Sequence, residues 1–274
     1  MKKRGFFILK ILITVVSFVI VVIAKSNIDW SNLQNNYVDL SLVKEIVYDL
    51  AVGVFSAMIL VWFIDEISNH IQERQSQEKE KAAIKRFDKV IQKYIERYTV
   101  MFYCVATPIE NRDFTQVTMP ENFTLKDMRD LHHTTLLMSE GLSDAAVKSF
   151  LEMELALRRE FISLVEQHDF DCYSKFIDIF LDFIQVSLTY DSRASILEVP
   201  NKTCGGKPFS TSVHDLLDQY GNDFYEKYLA GEEGGGNTMH PYVYLYELMK
   251  KERNLILQYQ EEIEKLGLFI RRPN

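Results

Sequence analysis

The stretch that decides the fold is Leu50–Ile64, LAVGVFSAMILVWFI, fifteen residues in which only Gly53 and Ser56 interrupt bulky apolar side chains. Backing up to Ile46 adds a helical turn that includes Asp49, and the run spans a bilayer if Asp49 sits at the interface. Tyr48 and Trp62 lie near its two ends, where amphipathic rings prefer the headgroup level. A partner run lies upstream. From Phe6 to Ala24, nineteen residues, the only polar side chains are Lys10, Thr14 and Ser17. At about 1.5 Å per residue that helix covers roughly 28 Å, close to the hydrocarbon thickness of about 30 Å.

Charge orients the pair. Lys2, Lys3 and Arg4 precede the first run, and Arg74, Lys79, Lys81, Lys85, Arg86, Lys89, Lys93 and Arg97 follow the second; only Lys25 and Lys44 lie between. Positive flanks stay inside, so the expectation is a transmembrane hairpin over residues 1–64, with spans at about 6–24 and 46–64 and an extracytoplasmic loop at 25–45. Both termini are then cytoplasmic. Read instead as a cleaved signal peptide, the first run leaves the second as a signal anchor and the large domain at the same address. In this topology Lys10 and Asp49 sit at opposite leaflets and cannot pair, so each is expected to snorkel to its own interface. Gly53 and Ala57 form a small-xxx-small pair, a face for helix–helix contact and so for a homo-oligomer.

Beyond Ile64 the chain has no Gly or Pro from Asp65 to Tyr103, so the membrane helix is expected to continue as a stalk over 65–103. Within it Ile84, Phe87, Ile91, Tyr94, Tyr98 and Met101 alternate steps of three and four, a heptad stripe under three heptads long. Val90, Ile95 and Phe102 widen the apolar face, which favours packing on the chain's own domain over a coiled coil between copies. The remainder, 104–274, reads as a cytoplasmic helical domain. Thr124–Asp127 matches an N-terminal cap for a helix through Met138, and Ser143 caps a run over Ala145–Gln167. Phe170–Tyr190 is a third apolar helix, Arg193–Phe209 a loop, and Thr211–Leu229 a helix with a break near Gly221. The last helix runs from Pro241 to about Leu266, with Gly267 as its stop. No segment gives an alternating strand set, so the class is all-α.

The formal net charge of −8 argues against a general nucleic-acid surface, although a local basic patch remains open. Cys104, Cys172 and Cys204 are odd in number and far apart, as reduced thiols in a cytosol are. Catalytic chemistry is hard to find. His132 and His133 adjoin Asp130, but neighbouring helix residues point about 100° apart and do not share an ion without a further partner. Asp171, Lys175, Asp178, Asp182 and Gln185 line one face of a helix, a spacing acid/base chemistry could use and a solvated face must also show. Gly205–Lys207 lacks the earlier Gly, the following hydroxyl residue and the strand of a phosphate loop, while Gly234–Gly236 reads as chain flexibility. The expectation is therefore no enzyme, no cofactor and no metal.

A basic start at Lys2–Arg4, a short extracytoplasmic turn, a second span ending at Ile64, a charged stalk and a helical body together resemble the small two-span effectors of bacterial antiphage defence, in particular those encoded beside a retron reverse transcriptase. The resemblance is architectural and covers chiefly residues 1–103. It implies an inner-membrane protein kept silent by defence-system partner proteins or a ribonucleoprotein, which damages the membrane once phage interference is sensed. A membrane-anchored adaptor or sensor that binds a cytoplasmic partner is the competing class. An anchored enzyme acting through Asp178 and Asp182 is the third.

Overall fold

The computed structural model describes residues 2–26, 40–135, 144–168, 170–204, 206–232 and 238–267. They are almost wholly helical: α1 (Lys2–Lys25), α2 (Leu40–Ala106), α3 (Ala146–Gln167), α4 (Ser174–Thr189), α5 (Arg193–Leu197), α6 (Phe209–Leu229) and α7 (His240–Lys265). Two two-residue strands, β1 (Thr203–Cys204) and β2 (Lys207–Pro208), pair antiparallel around Gly206, whose φ of +80° suits the residue without a Cβ. The class is all-α.

α2 fuses the expected second span and the stalk into one helix of 67 residues. The chain nevertheless separates into two compact units, Met1–Glu78 and Lys79–Asn274, and the division falls inside the expected stalk. In the second unit the stripe is part of the core. Ile84, Ile91, Tyr98 and Met101 are buried, with Phe87 and Tyr94 half-buried against them. Aromatic rings build much of the rest: Phe161 stacks on Phe180 at 4.6 Å, and Tyr98 lies 5.2 Å from Phe150. Phe123 meets Tyr246 edge-on at 5.0 Å. Such pairs add about 0.5–1.5 kcal/mol each beyond the area they bury.

Several sequence expectations need correction. Thr124 does donate both its N–H and its hydroxyl to Asp127 Oδ2 at 2.8 Å, but the helix that follows is a 3-10 segment, Lys126–Asp130, and not a helix through Met138. The chain turns there to pair Thr134 with Ala145, and Val147 N donates to Leu131 O at 2.9 Å. Met138, Gly141 and Ser143 lie outside the described residues. α4 starts at Ser174 rather than Phe170, and the loop expected at 193–209 contains α5 and the small β pair. α6 runs unbroken through Gly221. That glycine is buried, and an added Cβ would stand 3.1 Å from Lys126 N, so its role is close approach of α6 to the 3-10 segment. Gly267, at φ +69°, closes α7 by donating to Glu264 O at 2.9 Å, as a C-terminal stop should.

Candidate functional site

Three places could carry function: the apolar exterior of the first unit, and two polar clusters in the second. On α1, Lys10, Ile13, Thr14, Ser17, Val21 and Ala24 are the shielded positions, three and four residues apart. On the facing stretch of α2 they are Lys44, Tyr48, Ala51, Val52, Phe55 and Met58. Ser17, Ala24 and Ala51 are buried, and small side chains there let helix backbones come close. Phe18 lies 5.7 Å from Phe55, and Lys44 Nζ donates to Ser26 O at 3.3 Å. Thr14 and Ser17 return their hydroxyls to Lys10 O and Ile13 O at 2.8 Å, which leaves no polar group facing outward from that turn. Lys10 forms an ion pair with Asp65, a partner that the sequence reading did not name.

Between Leu50 and Ile64 the outward side of α2 is apolar apart from Ser56, with Leu50, Leu60, Phe63 and Ile64 openly exposed. Among the described residues, α2 carries a stretch long and apolar enough to cross a membrane, and only 6% of that stretch is buried. A core helix of a soluble protein would show the opposite. Gly53 and Ala57 lie on the exposed side, and no atom comes within 4 Å of a Cβ built on Gly53. The small-residue pair is therefore free for contact outside the chain.

In the second unit a polar network gathers around two buried carboxylates. Tyr98 donates to Glu252 Oε2 at 2.7 Å, Ser187 donates to Glu154 Oε1, and Arg193 pairs with Glu154. Arg158 donates to Ser187 Oγ at 2.9 Å. Glu154 and Glu252 are wholly buried. Burial, and then the charge of Glu154, hold the Glu252 carboxyl well above the usual carboxylate range. The network joins α2, α3, α4, α5 and α7, with Arg158 and Arg193 reaching it from partly exposed positions. Sequence reasoning missed it because each member looks like an ordinary polar break in a helical pattern.

The histidines divide. His132 turns inward to Tyr242, with Nε2 and the hydroxyl oxygen 3.1 Å apart, and burial followed by the charge of His133 lowers its pKa to about 4. His133 turns outward to Asp130 at 3.5 Å, where His214 of α6, unnoticed in the sequence, approaches the same carboxylate oxygen at 3.4 Å. Asp130 Oδ2 accepts the Ile109 N–H at 2.8 Å. Among the described residues no three His, Cys, Asp or Glu side chains stand where they could hold a metal ion. Asp182 borders an open groove between α4 and α7 with Gln185, Asn254 and Gln258, while Asp178 sits further along it beside Lys175, Glu261 and Glu262. Cys104 is buried and Cys172 exposed. Gly234–Gly236 falls outside the described residues. No protein family, curated protein or solved structure matches the chain.

Proposed function

We propose that this chain is a membrane-anchored effector of the antiphage, retron-associated kind, whose N-terminal hairpin spans the inner membrane twice and damages it when copies assemble. The observation that carries the reading is the uncovered apolar surface of α2, continued by the outward residues Leu12, Val15, Val16 and Val19 of α1. A contiguous face of that kind is stable only against lipid or other apolar helices. The order of the contacts supports the hairpin: Lys10 meets Asp65, Phe18 meets Phe55, and Ser26 meets Lys44, so the second helix retraces the first. The cationic flanks support a cytoplasmic address for both ends.

One hairpin has no water-lined interior, so damage needs several copies. The heptad stripe is taken up in the core of the second unit, so it does not bring copies together while that core is intact. The Gly53–Ala57 face supplies the contact instead. Production of the free chain is expected to depolarise the inner membrane, read by a potential-sensitive dye. Gly53→Ile with Ala57→Ile is expected to abolish depolarisation while the protein stays in the membrane fraction. A membrane-inserted chain that neither depolarises nor slows growth, even with its neighbouring genes and phage trigger present, would replace the effector with the adaptor.

A further inference from the structure

Between Lys79 and Arg97 the acidic residues are Glu80, Asp88 and Glu96. Two of them are turned into the second unit. Glu80 accepts the Cys172 N–H at 2.9 Å, and Asp88 accepts Tyr259 OH at 2.8 Å and the Gln92 amide at 3.1 Å. The cations go the other way. At about 100° per residue, Lys79, Lys85, Arg86, Lys89, Lys93 and Arg97 fall within a sector of about 120°, on the side opposite Ile84, Ile91 and Tyr98. All six are exposed, and none forms an ion pair among the described residues. Glu96 is the one acid in that sector. A chain that is acidic overall thus presents a straight row of unpaired cations about 27 Å long, the rise of eighteen residues.

The chemistry of this face narrows its occupant. Protein interfaces are anchored by buried aromatic or aliphatic side chains, and here the only large apolar side chain is Val90. A phosphate backbone needs no such anchor, because cations alone bind it by releasing its counterions. The row matches about eight nucleotide steps of 3.4 Å. We infer that the exposed face of α2 from Lys79 to Arg97 binds the sugar–phosphate backbone of a nucleic acid without reading its sequence. This goes beyond the membrane activity proposed above and does not depend on it. It locates the local basic patch that net charge alone leaves open.

The test uses the full chain in nanodiscs of zwitterionic lipid, with a fluorescein-labelled 20-base oligodeoxythymidine and a 20-base-pair duplex as probes. Binding by anisotropy is expected at about 50 mM salt, and about five phosphate contacts would weaken it roughly a hundredfold by 200 mM. The variant K85Q/R86Q/K89Q/K93Q is expected to lose more than tenfold in affinity and to flatten the salt dependence, with an unchanged circular dichroism spectrum. K202Q/K227Q, which removes two exposed lysines elsewhere, is expected to bind as the parent does. Absence of binding at low salt, or a quadruple variant that binds like the parent, overturns the inference. So does polyglutamate competing as well as unlabelled oligonucleotide, which would mark an acidic protein partner. Binding transferred to nanodiscs containing phosphatidylglycerol, with the oligonucleotide displaced, would assign the face to lipid headgroups and overturn it too.

Discussion

Leu60 and Ile91 belong to the same uninterrupted helix, yet Leu60 is 62% exposed and Ile91 is 1% exposed. Around Leu60 the apolar residues have no period: every side of the helix is greasy, and no arrangement of neighbours on one side could cover it. Around Ile91 they recur every three or four residues, with cations filling the gaps, and one domain covers them. The protein core thus covers one half of α2, while the other half keeps an open apolar surface of the length a membrane span needs. The difference lies in the pattern.

The strongest way to break this contrast is to place charge where the bilayer should be. Val16→Arg together with Val54→Arg is expected to cost about 5–7 kcal/mol of membrane insertion, at about 2.5–3.5 kcal/mol per arginine near a span centre. Alkaline extraction should then release the protein, while the near-ultraviolet signal of the aromatic core stays unchanged. Retention of the double variant in the pellet would show that the exposed apolar surface faces something other than lipid.

A smaller effect separates the units by pH, because the strongly shifted groups lie in the second. His132, normally near 6.5, is held at about 4, so the unfolded chain takes up its proton first; stability falls as pH drops from 6.5 towards 4, by about 3 kcal/mol in full. Glu252 acts in the opposite direction. Its folded pKa is raised, so its favourable contribution is complete below about 4.5 and is lost as pH climbs through the folded value. Melting temperature followed against pH should therefore decline on both sides. His132→Phe should flatten the acid limb. Glu252→Gln, which can still accept from Tyr98 and donate towards Glu154, should flatten the alkaline limb.

The smallest effect compares two glycines. Gly221→Ala gains helix propensity of about 1 kcal/mol but presses a methyl group into the Lys126 backbone, a crowding cost of about 1–3 kcal/mol, so a net loss of about 1 kcal/mol is expected. Gly53→Ala meets open space and should not destabilise the chain. A higher melting temperature for Gly221→Ala would mean that the 3-10 segment can retreat.

The all-α class, the continuity of α2 and the stop at Gly267 were legible because each depends on local periodicity or a single residue's backbone freedom. The short 3-10 segment after Thr124 was not, since its cap residues are those of a true helix and only the distant pairing of Thr134 with Ala145 halts it. Gly221 carries the ordinary mark of a break, and what it serves is an approach from a segment almost a hundred residues away. The Lys10–Asp65 pair, the Glu154–Glu252 network and the place of His214 beside Asp130 rest likewise on partners far apart in sequence. The basic face of α2 was visible as composition, but its separation from Glu80 and Asp88 required knowing which carboxylates turn inward.

Tyr98 and Glu252 are 154 residues apart in the chain, and Asp88 and Tyr259 are 171 apart. During synthesis at about 5–20 residues per second, α2 leaves the ribosome roughly 8–30 s before α7 can meet it. For that interval Ile84, Ile91, Tyr98 and Phe102 have nothing to cover them. The nascent chain thus shows a greasy helix face while its closing helix is still untranslated. Chaperone demand should accordingly concentrate between the emergence of Met101 and that of Ile263, and a ribosome stalled within that window would leave an aggregation-prone fragment.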